Sequence, residues 1–184
     1  PIQKQKLHDD AIVHIDFDDS SEWIVTCSKD HNAKLLGKLR YLESYNYDYV
    51  VGFETVNYTD TATVVLATKG SLCEISLSDG KVLWASPKPE GYVNKLACHN
   101  GSELIAVPAA DSTILLYKNG VMDTVLRGHE DGVDDLSFNL DGSRLASITS
   151  SDNNLIIWDI TNKRIERTLE ATPSIERGVM YSKD

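Results

Sequence analysis

The sequence has no two cysteines close enough to act together. Cys27, Cys73 and Cys98 are odd in number and far apart, with no CxxC pair, so no redox or metal-binding cysteine spacing exists. Each lies in an apolar stretch and reads as a small buried residue. That usage points to a reducing compartment, nucleus or cytoplasm. Long apolar runs are also missing. No window approaches the ~20 residues of a membrane span, and Pro1 to Asp10 carry no signal-peptide core, so an intracellular protein away from membranes is expected. GxGxxG, P-loop, GxSxG and kinase signatures are absent. The five histidines show neither HExxH nor His-x-His spacing. Paired acids stand at Asp9-Asp10, Asp18-Asp19 and Asp134-Asp135. Turns and strand entries, where Asp is favoured, account for them better than acid–base chemistry or a cation site does. No catalytic residue, metal or cofactor is expected.

Positive charge is short as well. The net charge is −10, from 28 acidic and 18 basic side chains. An acidic surface repels phosphate, so direct nucleic-acid binding is not expected. The basic groups Lys4-Gln5-Lys6 and Lys163-Arg164 are too short to change that. Net acidity speaks first to solubility and then to partners with basic surfaces.

What the chain does have is apolar residues enough for a core, at 41%, and an internal repeat. The clearest unit runs from Gly128 to Ile160. Gly128-His129 opens it. Val133, Leu136 and Phe138 make one apolar strand, and Asp141-Gly142 is a hairpin turn signal. Leu145 to Thr149 is a second strand and Leu155 to Trp158 a third. Ile165 to Leu169 supplies a fourth. A similar unit starts at His8, where Ile12, Ile15 and Phe17 repeat the spacing of Val133, Leu136 and Phe138. A third unit begins at Val93 and Leu96 and continues from Leu104 to Tyr117. Asn119-Gly120 then signals a tight hairpin. Between them, Thr63 to Ala67, Leu72 to Leu77 and Val82 to Trp84 form a degenerate meander.

Leu36, Ile75, Tyr117 and Trp158 occupy one position in the four units, at intervals of 39, 42 and 41 residues. A period near ~40–45 excludes ankyrin and tetratricopeptide repeats and matches four-stranded propeller blades. Strands this short cannot bury both faces alone, so blades must stack about an axis. The expected blades are 8–45, 46–88, 89–127 and 128–170, with 171–184 a further segment or tail, in a single region over 1–184. The stretch 37–49 reads poorly as a fourth strand. The tyrosines of LRYLESYNYDYV (Leu39 to Val50) suit either an interface or strand burial.

The unit from Gly128 to Trp158-Asp159 resembles the WD-repeat family, and the resemblance extends over roughly residues 8 to 169. It implies an all-β WD-repeat β-propeller, with about four blades visible and a larger propeller in the whole protein. It also implies a buried polar network in a blade: His129, Asp152 and Trp158, with Ser147 or Thr149 as the hydroxyl. In the first unit the members are His8, Thr26 and Asp30, with Leu36 in the Trp position. Buried polar groups are costly unless paired, so such a network fixes one geometry. A narrower resemblance lies in FDDSSEWIVTCSKD, Phe17 to Asp30. It is similar to the first repeat of the replisome-adaptor (chromosome transmission fidelity) family, whose members carry an N-terminal WD propeller.

The expected function is a non-catalytic protein–protein interaction scaffold, a subunit of a larger complex, with a replisome or chromatin adaptor as its narrower form. The alternatives are a propeller-fold enzyme, hydrolase or quinoprotein-like, and a trafficking or translation scaffold. SLSDGKVLWAS (Ser76 to Ser86) resembles a quinoprotein repeat over that one unit. In a propeller the loops entering each blade and those joining second to third strands share one face. That places Asp9, Asp10, Lys29, Ala110, Asp131 and Ser151 on a common rim, the candidate partner-binding surface.

Overall fold

Alternation of apolar and polar residues in short runs, punctuated by Asn-Gly and Asp-Gly turns, produces, among the described residues, sixteen strands in four antiparallel meanders. The computed structural model describes residues 6–17, 23–30, 32–37, 40–46, 50–58, 61–68, 71–76, 81–87, 93, 95–99, 102–149, 151, 153–170 and 178–182. The first sheet is β1 (Ile12–Phe17), β2 (Trp23–Ser28), β3 (Asn32–Gly37) and β4 (Arg40–Asn46). The second is β5 (Val50–Tyr58), β6 (Thr61–Thr68), β7 (Ser71–Ser76) and β8 (Val82–Pro87). The third is β9 (Ala97–His99), β10 (Leu104–Pro108), β11 (Ile114–Lys118) and β12 (Val121–Leu126). The fourth is β13 (Val133–Phe138), β14 (Arg144–Thr149), β15 (Asn154–Asp159) and β16 (Arg164–Glu170). In every sheet the strands pair in chain order.

The first strand of each sheet meets the first strand of the next, in the order β1, β5, β9, β13. Among the described residues no contact of similar extent returns from β13 to β1. First strands therefore line an axis and last strands lie outside. With no helix among the described residues, this is a partial β-propeller.

The core lies between the sheets, because each meander has an apolar face on both sides. Leu136, Leu145, Ile156 and Trp158 of the fourth sheet pack on Ala106, Ile114, Leu116 and Leu126 of the third. Leu96, Ile105, Val107 and Tyr117 of the third sheet pack on Val65, Ala67 and Leu72 of the second. One face of the third sheet and of the fourth, here called leading, is thus covered by the trailing face of the sheet before it. Ile12 and Ile15, on β1, are exposed where their counterparts Val133 and Leu136 are buried.

The register shows why Leu36, Ile75, Tyr117 and Trp158 recur. Each stands at an irregularity in the pairing of third and fourth strands: Leu35/Leu36, Glu74/Ile75, Leu116/Tyr117 and Ile157/Trp158. A bulge adds twist at one place in each sheet and re-aims the side chain beside it. The hairpins follow their residue types. Asn119 and Gly120 both have positive φ, 52° and 72°, as a type I′ turn demands. Two differences from the sequence reading concern strands. The stretch 37–49 contains β4, paired with β3 from Asn32↔Asn46 to Gly37↔Arg40, because the run is rich in β-forming tyrosine despite lacking a turn signal. The second sheet begins earlier than Thr63, with β5 paired along β6 from Val50 to Tyr58.

Candidate functional site

In the fourth sheet the two central strands, β14 and β15, and the segment entering β13 bring three polar side chains together in the core. Ser147 and Trp158 lie on adjacent strands and on the same face, which lets the indole Nε1 donate to Ser147 Oγ at 2.8 Å. His129 Nε2 stands 2.6 Å from the same hydroxyl, and the two rings meet edge to face, 6.2 Å between centroids. All three residues are buried. Thr149 is also buried and has its own partners, but Ser147 is the hydroxyl that joins imidazole and indole. Asp152 lies outside the described residues. Gly128 is small for a reason: a Cβ there would sit 2.7 Å from Ile165 Cδ1 and 3.0 Å from Trp158 Cη2.

The first sheet builds a related cluster with different residues. His8 Nδ1 donates to the Asp30 carboxylate, 2.9 Å from Oδ2, and His8 Nε2 lies 2.8 Å from Thr26 Oγ1. Asp30 Oδ2 also accepts the Asp9 amide at 2.9 Å. Ser28 Oγ donates to Asp10 O and accepts the Asp30 amide, both at 3.1 Å. The turn between β2 and β3 is thereby tied to the chain entering β1, reinforced by Lys29 N donating to Ala11 O at 2.9 Å.

The second sheet carries a polar cluster that the sequence reading missed. Glu74 is buried. It accepts Thr63 Oγ1 at 2.7 Å and the indole of Trp84. A carboxylate alternating with buried residues in SLCEIS, ten residues before a Trp, is the signal available for it. The sequence groups Asp135 with the turn and strand-entry acids. It stands within β13, buried, where it pairs with Lys95 Nζ at 2.7 Å and accepts its neighbour Leu136 N at 2.8 Å.

The six rim residues are all exposed. Asp9 and Asp10 precede β1 and Asp131 precedes β13. Lys29, Ala110 and Ser151 sit between second and third strands of their sheets. In a meander these positions share one end. Asp10 Oδ1 accepts Ala11 N at 2.7 Å, and Asp131 Oδ1 accepts Gly132 N at 2.6 Å, so equivalent positions of two sheets hold their carboxylates alike. Asp9 is paired with Lys6 at 2.9 Å. The hydrogen bond from Lys6, then its charge, holds the Asp9 carboxyl below the usual range. Beside Ala110 a groove of about 290 Å³ is lined by Asp111, Thr113, Leu115, Val125 and Arg127. Thr113 Oγ1 donates to Asp111 at 2.5 Å, which is the leading cause of that carboxyl's lowered pKa. Arg127 stands 3.6 Å from its other oxygen. The groove offers an ion pair and a hydroxyl committed to it, with no side chain placed as a base toward a nucleophile.

Among the described residues no three His, Cys, Asp or Glu side chains gather as a metal site, and no helix is long and apolar enough to cross a membrane. Burial pushes the Cys73 thiol up to about 11, so thiolate is scarce at neutral pH. We expect iodoacetamide at pH 8 to label Cys73 only through unfolding, read by mass spectrometry across a urea series. Labelling of the folded protein at the rate of a free thiol would contradict this. The sign for stability follows from the raised value. The contribution of the buried thiol is intact below the ordinary pKa of 9.0 and is lost as pH rises through about 11.

A family model described as WD domain, G-beta repeat matches residues 1–35 and 120–159. The second match starts at the turn before β12 and ends on Trp158-Asp159 in β15, so the sequence unit is offset by one strand from the sheet. The first covers the His8–Thr26–Asp30 cluster.

Proposed function

We propose that the chain, whose match to the WD-repeat model over residues 1–35 and 120–159 supports a place among WD-repeat proteins, is a non-catalytic scaffold for protein–protein interaction. The observation that carries this reading is the rim. Its loops are exposed at their tips and anchored at their bases by buried His–hydroxyl clusters. A rigid frame presenting loops suits recognition, and nothing in the groove beside Ala110 competes as chemistry.

The partner class follows from charge. Asp10 and Asp131 place carboxylates at matching points of two sheets, while Lys6 offsets the charge of Asp9. A partner with a basic surface fits that pattern. The assembly we favour is a replisome or chromatin complex in the nucleus, on the resemblance carried by Phe17 to Asp30. The chain's net charge of −10 suits contact with protein subunits rather than with DNA itself.

Affinity capture from cells, followed by mass spectrometry, identifies the partner, and two substitutions then test the rim. Asp10→Asn and Asp131→Asn remove charge but keep the oxygen that accepts the backbone amide. With the captured partner we expect a slower association at low salt, a shallower salt slope and an unchanged dissociation rate. Association and salt dependence equal to those of the unmodified protein would show that this rim is not the binding surface.

A further inference from the structure

Exposed apolar side chains gather at one outer corner of the second and third sheets. Val82 and Leu83 open β8, and Val121 and Met122 open β12. All four are more than half exposed. Both pairs stand on last strands, which lie outside, and at the end of the sheets opposite the rim. The two sheets touch there. A Cβ on Gly120, the residue before Val121, would lie 2.6 Å from the ring of Trp84, the residue after Leu83. The four side chains therefore make one patch across two sheets, where single exposed apolar residues would need no explanation.

The fold does not demand apolar residues at this corner. Pairing puts Val82, Met122 and Ile165 at one position, opposite Ile75, Tyr117 and Trp158. One residue later the second sheet has Leu83, where the third has Asp123 and the fourth Glu166. One residue earlier the third sheet has Val121, where the second has Lys81 and the fourth Arg164. In the fourth sheet those charges serve the sheet itself, since Glu166 holds Arg144 at 2.6 Å and Arg164 approaches Asp159 at 3.6 Å. The border of the patch is basic, on a chain of net charge −10. Lys81 precedes Val82, Lys118 lies across the hairpin from Val121, and both are exposed. Lys163 reaches Asp123 at 2.9 Å and offsets the carboxylate beside Met122. Glu103 sits in the turn between β9 and β10, toward the axis, and Asp79 lies outside the described residues.

We propose that this corner binds an amphipathic helix of a partner protein, with the helix's apolar stripe on Val82, Leu83, Val121 and Met122 and its acidic flanks beside Lys81 and Lys118. Spacing favours a helix. Stacked sheets lie about 10 Å apart, and residues seven apart on a helix are separated by about the same rise. Apolar residues at i, i+3 or i+4, and i+7 thus meet both pairs from one face. An extended segment turns successive side chains to opposite faces. Charge favours carboxylates on the helix, because like charges at the lysine border would repel. The surface is distinct from the rim, so its failure would leave the rim reading intact.

The test is a phage-displayed library of random peptides, panned on the folded protein and counter-selected on the double variant Leu83→Ser, Met122→Ser. Enriched peptides should carry Leu, Ile or Phe at helical spacing, with Asp and Glu beside them. Made synthetically, they should bind the double variant roughly tenfold or more weakly and Lys118→Glu roughly threefold or more weakly. Asp10→Asn and Asp131→Asn should leave their affinity unchanged. A measurement on the unmodified protein needs no variant to fold. Peptide should slow amide exchange over 81–84 and 118–123 and leave 109–113 as it was. No enrichment, enrichment of basic peptides, or protection at the rim alone would overturn the proposal. So would a concentration-dependent dimer in sedimentation that the double variant abolishes, since a second copy would then be the occupant.

Discussion

Replacing Trp158 by alanine should destabilise the protein by about 3–5 kcal/mol, seen as a lowered urea midpoint by far-ultraviolet circular dichroism. The indole is almost wholly buried and touches both sheets that enclose it. Its neighbours cannot close the gap. Leu145 and Ile156 lie on short strands whose register is set on both sides, and Leu136 on a strand held in register with β14. Gly128, where a Cβ would come within 3.0 Å of the ring, has no side chain to fill the space. Part of the loss is polar. Without the indole N–H, Ser147 Oγ loses a donor in a dry site. Trp158→Phe, which keeps most of the volume, isolates that part at about 1–3 kcal/mol. A loss under about 1 kcal/mol for the alanine variant would mean that the third and fourth sheets do not depend on this packing.

The second large effect is expected at Gly142. Its φ is +69°, a region that β-branched residues avoid. A Cβ would also lie 2.6 Å from His99 Nδ1. The imidazole cannot swing away cheaply. Its Nδ1 pairs with Ser102 Oγ at 2.6 Å, its Nε2 with Leu140 O at 2.9 Å, and its ring meets Phe138 edge-on. Gly142→Val should therefore cost about 2–4 kcal/mol, from backbone strain and overpacking together. Gly132→Ala is the control. Nothing lies within 4 Å of its Cβ position, so a change within ~0.5 kcal/mol is expected. Equal midpoints for the two variants would remove any special role for the Gly142 turn.

The propeller was legible in the sequence because its period is tied to geometry. Leu36, Ile75, Tyr117 and Trp158 keep nearly equal intervals, and each marks the place where third and fourth strands shift register. Turn chemistry was legible where it needs positive φ, as at Asn119-Gly120. The fourth strand of the first sheet was not, since 38–39 carries no Gly, Asn or Asp to announce a turn. The polar clusters differed in the same way. His129 and Ser147 sit in a motif whose residues are all short-range neighbours in the pattern. Glu74 with Trp84, and Asp135 with Lys95, depend on burial that only the packed sheets create. An acid in sequence looks solvated until the neighbouring sheet supplies its partner.

The turns at the two ends of the sheets are not equally free. At one end Gly120 lies against the Trp84 ring and Gly142 against the His99 ring, each ring belonging to the preceding sheet. Lys163, in a turn at that same end, reaches back to Asp123 at 2.9 Å. A residue inserted there would push two sheets apart. At the other end Ala110 and Asp131 stand exposed at their loop tips. Lengthening those loops leaves the contacts between sheets untouched. In the third and fourth sheets new loop sequence is therefore accommodated at the rim end, and a peptide tag or reporter grafted into them has the same point of entry.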